Sequence, residues 1–372
     1  MKRSLLLFLS YPTYNIYKYQ CDQMTKTTRR ILFYSLVAVF VFATPPTILY
    51  AMGYSFDWQK YALIQTGGVY LKSVPSTAQI IANGKDVKST PRLLTRLRPG
   101  RYDINISKDG FHSWQKTLEV FPQLVTEARN IVLFPKQIKP ESIAKNVTTT
   151  IEYYLSSPQE RQAKSQAQKV ASSTAGWLLI NNNIFYISEN NFILYQTDLS
   201  GALKQQISKE ALPTQTSYQI ISSHDGKIFL ALSPQGDLYW LNTDSGIFAN
   251  LGSQIKNAQI ASDNKKMLYA TDNEIRVIYF QDVLTQPYKK AGDKELITRY
   301  AQPISQTIFY PGNEHVAFVV GDQIKIIELD GRDRRNTIDF IQAPNPQIYF
   351  DSKNTYLYYL TQNQLFRVRL EE

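Results

Sequence analysis

"QIISSHDGKIFLALSPQGDLYWLNTD", residues 219–244, decides how the larger part of this chain folds. It reads as an apolar strand, a polar turn, a second strand, another turn and a third strand. Asp225-Gly226 and Gln235-Gly236 supply the turns: Asp hydrogen-bonds the backbone of its own turn, and Gly accepts positive φ without a steric cost. No helical period runs through the stretch.

The unit recurs at a spacing of roughly 40 to 48 residues. Its first hairpin returns as "QIASDNKKMLYAT" (259–271), "TIFYPGNEHVAFV" (307–319) and "QIYFDSKNTYLYY" (347–359), and "WLLINNNIFYIS" (177–188) opens the series. Its second hairpin returns as "FYISENNFILYQTD" (185–198), "LYATDNEIRVIYF" (268–280), "FVVGDQIKIIELD" (318–330) and "YYLTQNQLFRVRL" (358–370). Residues 246–252, "GIFANLG", read as a fourth strand. A repeated meander of this length predicts a β-propeller of about five blades over residues 176–372. The Ser223-His224-Asp225-Gly226-Lys227 turn resembles that of TolB-like and WD-repeat propellers, although the Trp-Asp dipeptide of WD repeats is missing; the resemblance implies architecture only. The last copy stops at Leu370 after three strands, so an earlier segment should supply its outer strand and remove the open edge. "TTTIEYYL" (148–155) is the candidate, within a polar linker at 121–175 that carries a short helix near 159–169.

Upstream lies "IIANGKDVKSTPRLLTRLRPGRY", residues 80–102. Asn83-Gly84 is a strong hairpin signal, Pro99-Gly100 marks a turn, and Asp109-Gly110 marks another. Strict alternation places Leu93 and Leu97 on one face, with Arg92, Leu94, Arg96 and Arg98 on the other. Tyr102, Ile104 and Ile106 alternate inward. The whole of 68–120 predicts a small antiparallel β-sandwich. Ser73-Val74-Pro75, Asn83-Gly84-Lys85, Ser89-Thr90-Pro91, Leu97-Arg98-Pro99-Gly100 and Lys108-Asp109-Gly110-Phe111 resemble the PEGA domain of bacterial envelope proteins. The family usually has Asp-Gly in the first turn. The resemblance implies an extracytoplasmic, non-catalytic structural or binding role, and it carries over no catalytic residue.

Residues 31–50, "ILFYSLVAVFVFATPPTILY", hold no charge. At about 1.5 Å per residue they span the roughly 30 Å hydrocarbon core of a bilayer, which predicts a transmembrane helix at 31–51. Lys26, Arg29 and Arg30 flank its start, so the positive-inside rule puts residues 1–30 in the cytoplasm and the rest outside. Tyr50, Tyr54 and Trp58 fit an outer aromatic belt. Pro45 and Pro46 predict a kink or an early helix end. A cleaved signal peptide ending at Ala43 is the competing reading. Residues 1–23 read as an interfacial segment or as an extension preceding a start at Met24, and Cys21 as a free thiol or a lipidation site.

The net charge of +10 is uneven. Residues 1–30 hold six Lys/Arg against one acid, residues 68–120 nine against four, and residues 121–372 balance. An exported body makes nucleic acid an unfit partner. Arg92, Arg96, Arg98 and Arg101 are the candidate contacts for an anionic envelope polymer or for lipid headgroups; the bland alternative is an edge strand kept soluble by charge. One cysteine excludes an intrachain disulfide, and the spacing of His112, His224 and His315 suits no zinc site. Nucleophile-elbow, HExxH, P-loop and dinucleotide motifs are missing. Asp225, Asp263 and Asp351, and likewise Asp244, Asp272 and Asp330, recur as turn formers. Tyr239, Trp240 and Tyr356–Tyr359 suit blade packing, with any remainder free to line a rim that takes a protein or sugar partner.

The sequence thus predicts an all-β protein with one N-terminal transmembrane helix, no catalytic or metal site and no cofactor. It reads as a non-enzymatic membrane-anchored binding or scaffolding protein of a bacterial envelope. The alternatives are a propeller hydrolase of peptides or glycans and a sensor subunit that needs a membrane partner.

Overall fold

A computed structural model describes residues 25–58, 61–213, 215–242, 245–351 and 356–370. The expectations for residues 1–23, Cys21 and Asp244 lie outside them. The chain divides into two units, residues 1–64 and 65–372.

Among the described residues of the first unit, one helix, α1 (Lys26–Ala51), is long and apolar enough to cross a membrane, and none of its side chains is buried. Its N-cap is Thr25, whose hydroxyl accepts from the Thr28 amide at 3.2 Å. Pro45 and Pro46 do not end it, so of the expected kink or early end, the early end is ruled out. Around them the hydroxyls of Thr44 and Thr47 donate to the Phe40 and Ala43 carbonyls at 2.6 and 2.7 Å, one turn back along the helix. Two short strands follow, β1 (Tyr54–Asp57) and β2 (Ala62–Gln65).

The second unit opens with a sandwich. One sheet has the order β6 (Arg92–Leu97), β3 (Gly67–Val74), β9 (Val125–Val132). The other has the order β5 (Lys85–Ser89), β4 (Gln79–Ala82), β7 (Gly100–Ser107), β8 (Trp114–Val120). Asn83 and Gly84 take φ of 47° and 74° between β4 and β5, as a mirror-image two-residue turn requires. Two expectations are corrected. The module extends past residue 120, because β9 pairs with β3, and it does so in parallel. Leu94, not Leu93, enters the core: Leu94 is 6% exposed and Leu93 44%. The reason is a bulge, where Arg96 takes φ of 58° and the β3–β6 register shifts, which resets the alternation so that Leu97 packs against the same core as Leu94.

Five four-stranded antiparallel blades follow. Blade 1 is β11 (Thr174–Ile180), β12 (Asn183–Ser188), β13 (Leu194–Asp198) and β14 (Lys204–Gln206). Blade 2 is β15 (Gln219–Ser222), β16 (Phe229–Leu232), β17 (Leu238–Asn242) and β18 (Ile247–Gly252). Blade 3 is β19 (Asn257–Ile260), β20 (Lys266–Ala270), β21 (Glu274–Tyr279) and β22 (Lys294–Arg299). Blade 4 is β23 (Ile304–Phe309), β24 (His315–Val320), β25 (Gln323–Glu328) and β26 (Thr337–Gln342). Blade 5 takes β27 (Gln347–Asp351), β28 (Tyr356–Thr361) and β29 (Gln364–Arg369) from the end of the chain. Its outer strand is β10 (Glu141–Ala144), which pairs antiparallel with β29.

Closure by an earlier strand is therefore present, but at 141–144 and not at 148–155. Residues 148–155 hold a short helix, α2 (Ile151–Leu155), capped by Thr150. The helix expected near 159–169 is α3 (Pro158–Val170), started by a full Ser157/Glu160 capping box. What read as a polar linker thus holds β9, β10, α2 and α3. Adjacent blades meet along their inner strands, β11 on β15, β15 on β19, β19 on β23 and β23 on β27. Helix α2 packs on β27 and β28, and α3 packs on β11, so the helical pair bridges blade 5 to blade 1. Ile151 and Val147 fill a pocket with Tyr358 and Leu365, while Ala167 and Ala171 pack with Ile184.

Candidate functional site

The sandwich and the propeller meet at a buried polar seam. Strand β8 alternates strictly: Trp114, Lys116, Leu118 and Val120 are each 3% exposed or less. An ammonium on the inward phase of such a strand needs full compensation. Lys116 Nζ lies 2.8 Å from Glu328 Oε1 and donates to the carbonyls of Asp330 and Arg334 at 2.7 and 3.0 Å. Three donors meet three acceptors. Glu328 is satisfied in turn, since its Oε2 accepts from Trp114 Nε1 at 2.8 Å and its Oε1 from the Asn336 amide at 2.7 Å.

Glu328 ends β25 and its neighbours lie on the loop between β25 and β26; a first propeller loop, between β21 and β22, reaches the sandwich as well as this second one. In the second, Asp333 Oδ2 accepts from the Thr117 amide at 2.9 Å, and this bond holds its carboxyl below the usual range. Arg332 donates to the Glu127 carbonyl at 2.8 Å and pairs with Asp330 at 2.6 Å. Burial pushes the Asp330 carboxyl up, but Arg332 and Lys116 outweigh it and hold the group low. In the first loop, Gln286 accepts from the Glu127 amide at 3.0 Å and donates to the Val125 carbonyl at 2.9 Å. Phe134, which ends the sandwich, inserts edge-on among Tyr310, His315 and Phe340 of blade 4, at ring separations of 5.4 to 5.8 Å. His315 is enclosed there; burial first, then Lys116 and Lys266, push its imidazole down to about 3.

Beside the seam lies an open groove of about 750 Å³. One wall is sandwich, with Arg101, Phe121 and Leu124; the other is propeller, with Pro287, Tyr288 and Asp333. Arginine at one margin and apolar side chains on both walls suit a ligand with an anionic end and an apolar body.

The four sequence-predicted arginines are all exposed, but they do not converge. Arg92 begins β6 opposite Leu71, whereas Arg98 lies past the other end of that strand, about 20 Å away at the strand rise. Arg96 occupies the bulge, and Arg101 pairs with Glu119 on β8. Only Arg101 reaches the groove. Asp225 and Asp263 do close their own turns, accepting from the amides of Lys227 and Lys265 at 3.3 and 3.1 Å. Asp330 does not act as a turn former alone; it belongs to the seam. Lys116 and Glu328 escaped the sequence reading, although a lysine on the apolar phase of "WQKTLEV" was a visible signal. Tyr239 and Tyr359 lie in blade cores, and Trp240 stacks on Phe280 at 5.3 Å. Among the described residues, no three His, Cys, Asp or Glu side chains are placed to hold a metal ion.

Residues 66–136 match the PEGA domain model. This stretch of the chain is a PEGA domain. The match reaches β9 and Phe134, so it includes the parallel strand that lies beyond residue 120. No curated protein matches the chain. Solved structures with some likeness include two that are propellers by name. They include the Cps50 (Swd1) beta-propeller domain of Myceliophteria thermophila, at 12% identity and TM-score 0.37, covering 51% of this chain and 66% of that one. A nidogen/laminin complex chain has 12% identity and TM-score 0.33, covering 50% and 74%. The Dos1 propeller has 14% identity and TM-score 0.37, covering 50% of each chain. The propeller assignment here rests on this chain's own five four-stranded sheets.

Proposed function

We propose that this protein is a membrane-anchored, extracytoplasmic binding or scaffolding protein of a bacterial envelope, with a non-enzymatic role. The observation that carries the reading is the seam: a PEGA domain locked to a propeller by a saturated buried ion pair, with a groove along the join. Such a lock turns two small modules into one rigid platform. It fixes the groove walls relative to each other, and it supports binding because little ordering is left to do when a ligand arrives. Helix α1, with Lys26, Arg29 and Arg30 before it, supplies the anchor and sets the N-terminus inside.

The test is protease added to intact cells that express the full chain. The expected result is digestion of the body with survival of the segment up to α1. A body fully shielded until the cells are lysed overturns the reading. Capture of envelope material by the full chain in detergent, lost on Arg101→Ser together with Arg98→Ser, then addresses the ligand. Capture unchanged by both substitutions removes the arginines from the role.

A further inference from the structure

The end of the PEGA domain at which the chain enters is apolar, basic and exposed, where soluble domains present few contiguous apolar side chains. The entry is pinned by the turn at 121–124: the Gln123 amide donates to the Thr66 carbonyl at 3.0 Å, and the Gly68 amide to Leu124 at 2.9 Å. Gly67 is opposite Leu97 and Gly100 opposite Val120, so the turn at 97–100 shares this end. Phe121 is 47% exposed and Leu124 59%. The propeller loop at 283–289, closed by the Val283–Lys289 bridge and tied to Val125 by Gln286, adds Leu284 at 84% and Tyr288 at 67%. Arg98 and Arg101 are exposed at the same end.

Only thirteen residues separate Ala51, the last of α1, from Gln65, where the body begins. Thirteen residues reach at most about 45 Å when fully extended, which keeps this end of the body within reach of whatever bilayer α1 crosses. Apolar tips flanked by arginine are the composition by which a surface inserts shallowly into a headgroup layer that bears negative charge. We propose that the end formed by Phe121, Leu124, Leu284 and Tyr288 docks on the outer leaflet, with Arg98 and Arg101 binding anionic lipid headgroups. The groove then opens onto the membrane surface. This deepens the proposed function and rests on its anchor.

The full chain with Cys21→Ser and one new cysteine carries an environment-sensitive NBD label, in vesicles of phosphatidylcholine with or without phosphatidylglycerol. Brominated acyl chains serve as quencher. Labels at Thr285→Cys and Pro122→Cys should lose at least half their emission in anionic vesicles. A label at Leu203→Cys, on blade 1, should lose little. Arg98→Gln with Arg101→Gln should return the first two labels to their values in neutral vesicles. A label at Phe40→Cys reports the anchor independently. If it is quenched while positions 122 and 285 behave like 203, docking is wrong and the anchor stands. If position 40 is not quenched, both fall. Equal quenching at 122 and 285 in neutral and anionic vesicles overturns the headgroup assignment.

Discussion

Lys116 of the PEGA domain and Glu328 of blade 4 form a buried ion pair 2.8 Å apart, with side chains 0% and 5% exposed. Removing one partner leaves a charge with no compensation, at a cost of about 3–5 kcal/mol. Lys116→Met and Glu328→Gln should each lower the urea midpoint strongly. The double variant should lose clearly less than the two losses added, because the stranded charge is gone. Additive losses in that cycle would show that the pair does not couple the modules.

The repeat was legible because each blade writes its period in apolar strands and Asp/Asn/Gly turns. Blade 2 alone displays three strands and a fourth in "GIFANLG". The PEGA turns were legible for the same reason. What the sequence hid were non-local pairings. Nothing in residues 141–144 signals that β10 belongs beside β29, some 220 positions away, and "TTTIEYYL" has the better strand propensity. It folds as a helix because Ile151 finds its apolar partners on blade 5, a tertiary choice that overrides local preference. The bulge at Arg96 likewise defeated strict alternation. The candidate site suffered most, since the seam joins residues of β8 to loops of blades 3 and 4 that no motif connects.

His315 gives the seam an acid limit. Unfolded, its imidazole takes a proton near pH 6.5; folded, it does so only at about 3. Between these values the unfolded state binds a proton that the folded state refuses, so stability falls as pH falls, and above pH 6.5 nothing changes. At pH 5 the loss is about 2 kcal/mol. His315→Phe should flatten this part of the pH–stability curve measured by urea unfolding, while leaving the slope from carboxylates below pH 5. An unchanged slope between pH 5 and 6.5 would place the acid sensitivity elsewhere.

Gly176 should prove irreplaceable for steric reasons. A Cβ there would fall 2.0 Å from the Tyr218 carbonyl oxygen, and the Tyr218 amide donates to Ala175 at 2.6 Å, so backbone meets backbone between blades 1 and 2. Gly176→Ala should cost about 1–3 kcal/mol or prevent folding. Gly252→Ala, whose nearest neighbour would be the Ile255 Cδ1 at 3.4 Å, should be close to neutral. Thermal melts of the two variants compare them directly, and equal losses would refute the close approach.

Ring closure makes the last prediction. Blade 5 is assembled from two distant chain segments, and its stability depends on α2 as well as on β10. Ile151 is 4% exposed against Leu365 and Tyr358, so Ile151→Ala should remove about 2–4 kcal/mol of packing. The exposed Glu141–Arg367 pair at 2.8 Å should contribute under about 1 kcal/mol, so Arg367→Gln should be mild. Because the damage lies at the closure, it should show as local opening. Hydrogen exchange should accelerate in residues 141–144 and 364–369 of the Ile151→Ala protein well before it does in β24, whose six residues are all buried. A uniform acceleration across all five blades would instead make the ring one cooperative unit, with no weak point at the join.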